Sequence, residues 1–390
     1  MEFRDLKSQY LFQKNDIDKQ IQEVIDSTAF ISGKKVKELE VCLAEYVGVK
    51  HCISCANGTD ALELSLMALG IGRGDAVFVP DFTFFSSGET VATVGATPIF
   101  VDIDEKTFNI SIESLNNAIK FVKEKTELIP RVIITVDLFG LPADYPEIKK
   151  IADRSGLLIL EDGAQGFGGK INDKKACSFG DISTTSFFPA KPLGCYGDGG
   201  AIFTDNDEWA EMLQSLKVHG KGYDKYDNVR IGMNSRLDTI QAGILLSKMK
   251  YFDNEIINCN MIASLYRSHL DSNNIICPSI PQGYYSSWAQ YTILLKDKDK
   301  RDIIIETLKK HNIPSMVYYR KPMHRQPAFD VYHEYNDKLS YCHTDNVCER
   351  CLSLPMSAYV KETEVINISE IINGGHLPAI KLSSVLLFFG

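Results

Sequence analysis

Lys191 is the residue of this sequence best placed to act as a nucleophile. It follows the largely apolar run Ser186-Phe187-Phe188-Pro189-Ala190 and precedes Pro192-Leu193-Gly194 and the glycine-rich Gly197-Asp198-Gly199-Gly200. Such surroundings desolvate an ammonium, depress its pKa and leave a usable free amine. A second chemical group, Asp162, ends the apolar run Leu157-Leu158-Ile159-Leu160 within Glu161-Asp162-Gly163-Ala164-Gln165. A carboxylate at the end of a buried strand is costly unless a cation faces it. A third feature is Asn57-Gly58-Thr59, which follows the short apolar run His51–Cys55 and opens a helix. Free N–H groups and the positive end of the helix dipole suit a phosphate there, and Gly58 lets the backbone approach closely. Each feature has an ordinary alternative: a surface lysine, a loop-capping carboxylate and a helix cap. Together they make a phosphate cradle, a carboxylate for a ring nitrogen and an activated amine. That set is what pyridoxal 5'-phosphate requires, with a Lys Schiff base and an acid partner for its pyridinium nitrogen.

Those residues need a scaffold, and hydrophobic periodicity predicts one. Residues 5–27 and Lys35–Val47 carry apolar residues at helical spacing. Strands are then expected at His51–Cys55, Ala76–Val79, Pro98–Val101, Arg131–Val136 and Leu157–Leu160. Helices are expected between them at Thr59–Leu69, Ser86–Val94, Ile112–Val122 and Tyr145–Ala152. Strands apolar on both faces and separated by helices imply an α/β fold with a mostly parallel sheet between helical layers. In such sheets ligands sit beyond the carboxyl ends of the strands, where the three features above fall. Residues 182–204 read as closely spaced strands with glycine-rich turns, and Glu208–Val218 and Leu237–Tyr251 as helices. From about residue 255 the pattern becomes a long helix followed by Ala289–Leu295 (strand), Ile303–His311 (helix) and Ser315–Tyr318 (strand). We therefore expect a large domain over 1–250 and a smaller α+β domain over 251–370. Residues 371–390 form an atypical apolar tail with Lys381 as the single charged side chain after Glu370. A non-native ending and a packed terminal strand are the alternatives for it, and no function is expected there.

Composition narrows the function. The 390 residues carry 42 Lys and Arg against 51 Asp and Glu, a net charge of −9. That balance argues against nucleic-acid binding, which needs clustered cations. No run approaches the roughly 20 apolar residues of a membrane span. The polar start Met1-Glu2-Phe3-Arg4-Asp5 does not read as a signal peptide. A cytoplasmic protein with reduced thiols is expected, its ten cysteines scattered rather than framed for disulfides. Cys52 and Cys55 have redox spacing, but Cys52 belongs to a buried strand. Cys342, His343, Cys348 and Cys351 include zinc-type ligands without a second pair, so no metal is expected. Asn57, Asn109 and Asn367 begin sequons that count as chance matches without secretion. No strand is followed by a complete G-x-G-x-x-G with a later acidic residue, against a nicotinamide oxidoreductase.

The motifs Asn57–Leu62, Pro80–Phe84, Glu161–Gln165, Ser186–Lys191 and Gly232–Ala242 resemble the DegT/DnrJ/StrS family of nucleotide-sugar aminotransferases, over roughly residues 1–365. The resemblance implies a fold-type I pyridoxal-phosphate transferase: a large domain with a mostly parallel seven-stranded sheet between helices, plus a smaller α+β domain. It implies Lys191 as the Schiff-base lysine, Asp162 at the pyridine nitrogen, Gln165 near the phenolic oxygen and Phe84 stacked on the ring. Gly58, Thr59 and Ser186 would hold the phosphate. Asn234 would reach it from the other subunit of a homodimer with shared active sites. Many members carry Trp or Tyr where Phe84 stands; Phe stacks but cannot donate a hydrogen bond. Some relatives replace the lysine with His and dehydrate their substrate, so Lys191 points to transamination. L-glutamate is the expected amino donor, and a keto sugar the acceptor.

The resemblance also bears on which sugar. Residues 189–200, His219-Gly220-Lys221 and Tyr318–Pro327 are similar to the branch acting on UDP-linked 3-keto-N-acetylglucosaminuronate, which serves cell-surface polysaccharide such as the O-antigen of lipopolysaccharide. The alternative is a 4-keto-6-deoxy nucleotide sugar. A diphosphate plus a uronate needs local cations in an acidic protein. Arg230, Arg236, Arg320, Lys321, His324 and Arg325 are the candidates, with a solvated basic rim as their alternative reading. Tyr318, Tyr319 and the Ile31-Ser32-Gly33 loop would flank the nucleotide. A regulatory role on this fold is the remaining rival; a copy without catalysis would be expected to lose Lys191 or Asp162, and both are present.

Overall fold

The computed structural model describes residues 1–224 and 226–374. In chain order these form α1 (Leu6–Ser27), α2 (Lys34–Val47), β1 (His51–Cys55), α3 (Gly58–Ala68), β2 (Asp75–Pro80), α4 (Ser86–Thr93), β3 (Thr97–Val101), α5 (Ile112–Lys125), β4 (Ile129–Val136), α6 (Tyr145–Ser155) and β5 (Leu158–Asp162). Next come β6 (Lys170–Ile171), β7 (Lys174–Lys175), β8 (Ile182–Ser186), β9 (Gly200–Thr204), α7 (Asp207–Leu216), α8 (Thr239–Met249) and α9 (Phe252–His269). The remainder holds β10 (Tyr284–Tyr285), β11 (Tyr291–Leu294), α10 (Lys298–Lys310), α11 (His333–Asn336), α12 (Cys342–Arg350), β12 (Cys351–Leu354) and α13 (Glu362–Ile372).

Seven strands form one sheet in the order β1-β9-β8-β5-β4-β2-β3. β9 runs antiparallel to both of its neighbours, and the other six strands run parallel to one another. The expected mostly parallel sheet of an α/β fold is therefore present. Its strands are buried on both faces, as crossover helices require. One apolar layer, including Leu62, Leu66, Val79, Val132 and Leu160, packs α3 and α7 against the sheet. Ile148, Ile151, Leu115 and Val122 cover the opposite face through α5 and α6.

Beyond the sheet, α9 leads to a second core. Tyr266, Tyr291, Ile293, Leu308, Leu352 and Ile368 gather α9, α10 and α13 around the two-stranded β11–β12 pair. The expected strand at Ser315–Tyr318 does not form; only Met316 makes a single antiparallel bridge, to Ser353. Pro314 fixes one end of this segment, and the next residues turn toward the large sheet, so the apolar alternation found no second ladder. The tail reading lies outside the described residues except for residues 371–374, of which Ile371 and Ile372 are buried at the end of α13.

All ten cysteines are free thiols. Cys342 and His343 begin α12 beside buried Asp102, with their ligand-type atoms within 4.8 Å of one another. Asp102 is already occupied there as the cap of the helix, accepting from the N–H groups of His343 and Thr344 at 3.0 and 2.8 Å. Cys348 and Cys351 are buried instead, as members of the same apolar cluster as Leu62 and Val79.

Candidate active site

The three chemical features meet at the carboxyl ends of β1, β5 and β8. Register pairs Cys55 with Gly200 and Gly200 with Ser186, so the ends of β1 and β8 lie either side of the start of β9. Two strands along, β5 ends at Asp162 beside Thr184 of β8.

At the end of β1, Asn57 caps α3: its side-chain oxygen accepts from Asp60 N–H at 2.8 Å. Gly58 and Thr59 supply first-turn N–H groups that no helical carbonyl can satisfy. A Cβ on Gly58 would stand 2.7 Å from Ser186 Cβ, so only glycine lets the helix start lie against that serine. Gly58, Thr59 and Ser186 are therefore brought together as expected, in an N-terminal anion cradle.

Asp162 is 5% exposed. Its Oδ2 accepts from Ser87 Oγ at 2.8 Å and its Oδ1 from Ala164 N–H at 3.2 Å. Burial pushes its carboxyl above the ordinary value, against the Ser87 hydrogen bond, the positive charge of Lys191 and the Ala164 N–H. Lys191 answers it. Desolvation holds the half-buried ammonium below the ordinary lysine value, and the charge of Asp162 works in the opposite direction. The two groups thus face a shared space in which a cation is wanted near Asp162 and an amine is ready at Lys191. Lys191 sits on a tight loop whose N–H bonds back to Phe188 O at 2.8 Å. Gly194 closes the loop: a Cβ there would be 2.4 Å from Pro189 O.

Gln165 is buried, with its amide oxygen accepting from Phe139 N–H at 2.7 Å and its nitrogen donating to Tyr319 Oη at 3.1 Å. Phe84 precedes α4 and is 54% exposed, and Phe188 is exposed to a similar degree. Phe84 O accepts from Ser87 N–H at 3.2 Å and Phe188 O from Lys191 N–H at 2.8 Å, so each exposed ring belongs to a segment of the site and offers surface that a flat ring could cover. These features fit pyridoxal 5'-phosphate: an anion cradle, a buried carboxylate, a desolvated lysine and an open aromatic face.

The other expected residues lie farther out. Ser235 is buried and its Oγ accepts from Ala56 N–H at 3.0 Å, while Asn234 and Arg236 on either side point to solvent. Ser32 is exposed, and Thr239 N–H donates to Phe30 O at 2.9 Å, which sets this loop beside the segment carrying Arg236. Tyr318 is half-buried, its ring edge-on to Tyr319 and to Phe3. His324 is more deeply engaged than a rim residue. Its Nδ1 lies 2.6 Å from Asp81 Oδ2, its Nε2 receives Arg325 Nε–H at 3.2 Å, and its ring stacks on Tyr341 at 4.3 Å. Ser87 is the functional group that sequence reasoning missed. Its signal was weak: a serine four residues after Thr83, to which its hydroxyl bonds at 3.0 Å.

A buried carboxylate that interacts with a desolvated lysine, on a sheet that also carries a helix-start anion cradle, is the arrangement expected of a fold-type I transferase. Comparison with known proteins narrows it. Residues 12–373 match the DegT/DnrJ/EryC1/StrS aminotransferase family, and the chain belongs to that family. It is 42% identical to UDP-2-acetamido-2-deoxy-3-oxo-D-glucuronate aminotransferase of Pseudomonas aeruginosa, over 94% of this chain and 97% of that one. It is 38% identical to UDP-N-acetyl-3-dehydro-alpha-D-glucosamine 3-aminotransferase of Acidithiobacillus ferrooxidans (94% and 96% covered). A pleiotropic regulatory protein of Geobacillus stearothermophilus is 40% identical (92% and 94% covered). Among solved structures, a DegT/DnrJ/EryC1/StrS aminotransferase from Brucella abortus superposes with a TM-score of 0.91 at 45% identity, covering 96% of this chain and 99% of that one. NtdA of Bacillus subtilis, with bound cofactor PMP, superposes with a TM-score of 0.83 at 29% identity, covering 92% and 82%.

Proposed function

We propose that this protein uses pyridoxal 5'-phosphate to transfer an amino group from L-glutamate to the C3 ketone of a UDP-linked sugar, UDP-2-acetamido-2-deoxy-3-oxo-glucuronate, for cell-surface polysaccharide synthesis. The observation that carries this reading is the Asp162–Lys191 pair beside the Gly58–Ser186 cradle, in a chain of this family. When bound, the cofactor supplies an electron sink for the charge left at the substrate carbon after deprotonation. Gly58, Thr59 and Ser186 bind its phosphate. Asp162, whose ionised form Ser87 and Ala164 favour against the effect of burial, would hold a positive charge at the ring nitrogen. Gln165, clamped by Phe139 and Tyr319, would hold the ring's oxygen side, and Phe84 would offer its exposed face to the ring. Lys191 would be the residue that holds the cofactor, and its Nζ would carry the proton to and from the substrate carbon.

Ser32, Arg236, Tyr318 and His324 form the sugar-nucleotide rim of this reading, with Arg236 facing the diphosphate and His324 bracing the rim through Asp81. The working unit is a homodimer in which Asn234 completes the partner's phosphate site. Exposed Phe30, Ile31, Val229 and Ile231 lie on the segments that carry Ser32, Asn234 and Arg236, and a second copy would bury them. In this reading residues 1–250 form the large cofactor-binding domain and residues 251–370 the small one. No helix among the described residues is long and apolar enough to cross a membrane, and we place the enzyme in the cytoplasm, beside its nucleotide-sugar supply.

The test is a direct assay of the purified, cofactor-loaded protein with glutamate and paired 3-keto and 4-keto nucleotide sugars. Amination at C3 of the UDP-uronate supports the reading. Turnover of a 4-keto-6-deoxy sugar with rejection of the 3-keto substrate would replace it. A protein that neither takes up the cofactor nor turns over either sugar would leave a regulatory role.

A further inference from the structure

The underside of the Lys191 loop is held by two cations from outside the catalytic set. Arg4, on the segment before α1, donates through one guanidinium nitrogen to Lys191 O at 3.3 Å and Pro192 O at 3.5 Å. Lys248, in α8 and 2% exposed, donates to Gly194 O at 2.6 Å. Three of the four carbonyls from residue 191 to 194 therefore end on a positive charge. The loop belongs to neither a helix nor a strand, so its carbonyls have no ladder to satisfy them. Charge-assisted bonds are about twice as strong as neutral ones and fix geometry accordingly.

The cations are themselves anchored. Lys248 also donates to Gln9 Oε1 at 2.8 Å and lies 4.5 Å from the centre of the Tyr196 ring. Gln9 and Gln13 of α1 donate to Glu255 of α9 at 2.8 and 2.7 Å, and Tyr359 donates to the same carboxylate at 2.6 Å. Phe3 O accepts from Met356 N–H at 3.1 Å, and the Phe3 ring stands edge-on to Tyr318 at 6.2 Å. The first residues of the chain thus tie the lysine loop to the segments around Tyr318 and Met356. Desolvation and the charge of Asp162 are what perturb Lys191, and the two cations meet its loop through backbone carbonyls. Their leverage is mechanical.

We propose that Arg4 and Lys248 are positioning residues, which grip the carbonyls of residues 191–194 and so fix the direction in which Lys191 Nζ enters the site. This rests on the proposed role of Lys191. Burying cationic donors without a full set of partners is costly: Lys248 is 2% exposed, and of the part-buried Arg4 the Nη1 is buried with no hydrogen-bond partner. A loop that only had to close would be served more cheaply by water.

The experiment compares wild-type enzyme with Arg4→Gln, Arg4→Lys and Lys248→Met. Two readouts are taken: steady-state kinetics of the cofactor-loaded enzyme, and the rate at which Lys191 of the cofactor-stripped protein is captured by added pyridoxal phosphate, confirmed by borohydride reduction and peptide mass spectrometry. A misdirected amine predicts a fall in kcat and in capture rate on the order of tenfold to a hundredfold for Arg4→Gln, with KM for both substrates changed less than about twofold. Arg4→Lys restores most of it. Lys248→Met reports the same effect independently, should the Arg4 variant be poorly folded. Wild-type kcat and capture rate in folded Arg4→Gln and Lys248→Met would overturn the proposal. So would losses that merely track the unfolded fraction. If the wild-type protein fails to capture the cofactor at all, the proposed function fails instead, so the two failures stay distinct.

Discussion

On the floor of the site the side chains of Asp162 and Gln165 and three carbonyls of the Lys191 loop have partners inside the chain, whereas on the rim the side chains of Asn234 and Arg236 have none among the described residues. Asp162 is bonded by Ser87 and Ala164, Gln165 is clamped by Phe139 and Tyr319, and the Lys191 loop is gripped from below. Asn234 and Arg236 flank the buried Ser235 yet face solvent. The floor is preorganised, so its residues act in the chemical step, where fixed dipoles and short distances count most. The rim is poised for what arrives from outside, a substrate or a second copy, and should act in binding. The sharpest way to break this division is to find a floor substitution that changes only KM, or a rim substitution that changes only kcat.

Lys191→Ala carries the largest expected effect. Visible absorbance of the loaded protein disappears, and turnover falls on the order of ten-thousand-fold or more, since the general acid/base contribution is lost together with covalent attachment. Wild-type turnover in this variant would end the mechanism. Asp162→Ala follows, with cofactor still bound but turnover reduced by about two to three orders of magnitude, the size seen when one preorganised electrostatic partner is removed. Equilibrium dialysis against cofactor and kcat measured on the same preparation separate the two effects. Ser87→Ala is the subtler version. The hydroxyl bond lowers the Asp162 pKa, so its loss moves that pKa upward, and the acid limb of the kcat profile shifts to higher pH. An unmoved limb would show that Asp162 is held ionised by something other than Ser87.

The floor was legible in the sequence because its chemistry is local. Lys191, Asp162 and Gly58 each close a strand or open a helix, and strand ends are where an open parallel sheet collects ligands. The sheet itself was legible because buried strands are apolar on both faces. What sequence could not show depends on contacts far along the chain. Arg4 meets Lys191 across 187 positions and Lys248 meets Gly194 across 54, and no periodicity carries that information. Ser315–Tyr318 looked like a strand because alternation predicts half-burial, not a ladder partner. His324 is legible in the sequence as a candidate cation for the substrate, but its contacts with Asp81, Arg325 and Tyr341 are not, because only the fold brings Asp81 and Tyr341 near.

Lys248 extends the comparison to stability. Burial pulls its pKa down to about 8 from the ordinary 10.5. Below pH 8 folded and unfolded chains both hold this proton. Between about 8 and 10.5 only the unfolded chain does, so this group makes stability rise with pH across that window. The gain is worth about 3 kcal/mol at most, at 1.36 kcal/mol per unit. Buried tyrosines and cysteines with raised pKa values pull the other way. The expected signal is therefore a difference: urea unfolding of wild type minus Lys248→Met should rise from pH 8 to pH 10.5. A flat difference would mean that Lys248 is hydrated, and that the floor is less dry than the rim contrast requires.

Arg236→Ala is the smallest expected effect and the one that tests the rim directly. An exposed guanidinium meeting a diphosphate works in high dielectric and is screened by salt, which limits it to roughly 1 kcal/mol. KM for the nucleotide sugar should rise about fivefold while kcat holds, because an interaction made equally in the ground and transition states leaves the chemical step alone. Salt sharpens the reading. Raising ionic strength should increase the wild-type KM and leave the variant's KM nearly unchanged, since the screened contact is already gone. The KM for glutamate should not move in either protein if Arg236 serves the nucleotide alone. Were kcat to fall with KM unchanged, Arg236 would belong with Asp162 and Lys191, and solvent exposure in the single chain would no longer separate binding from chemistry in this site.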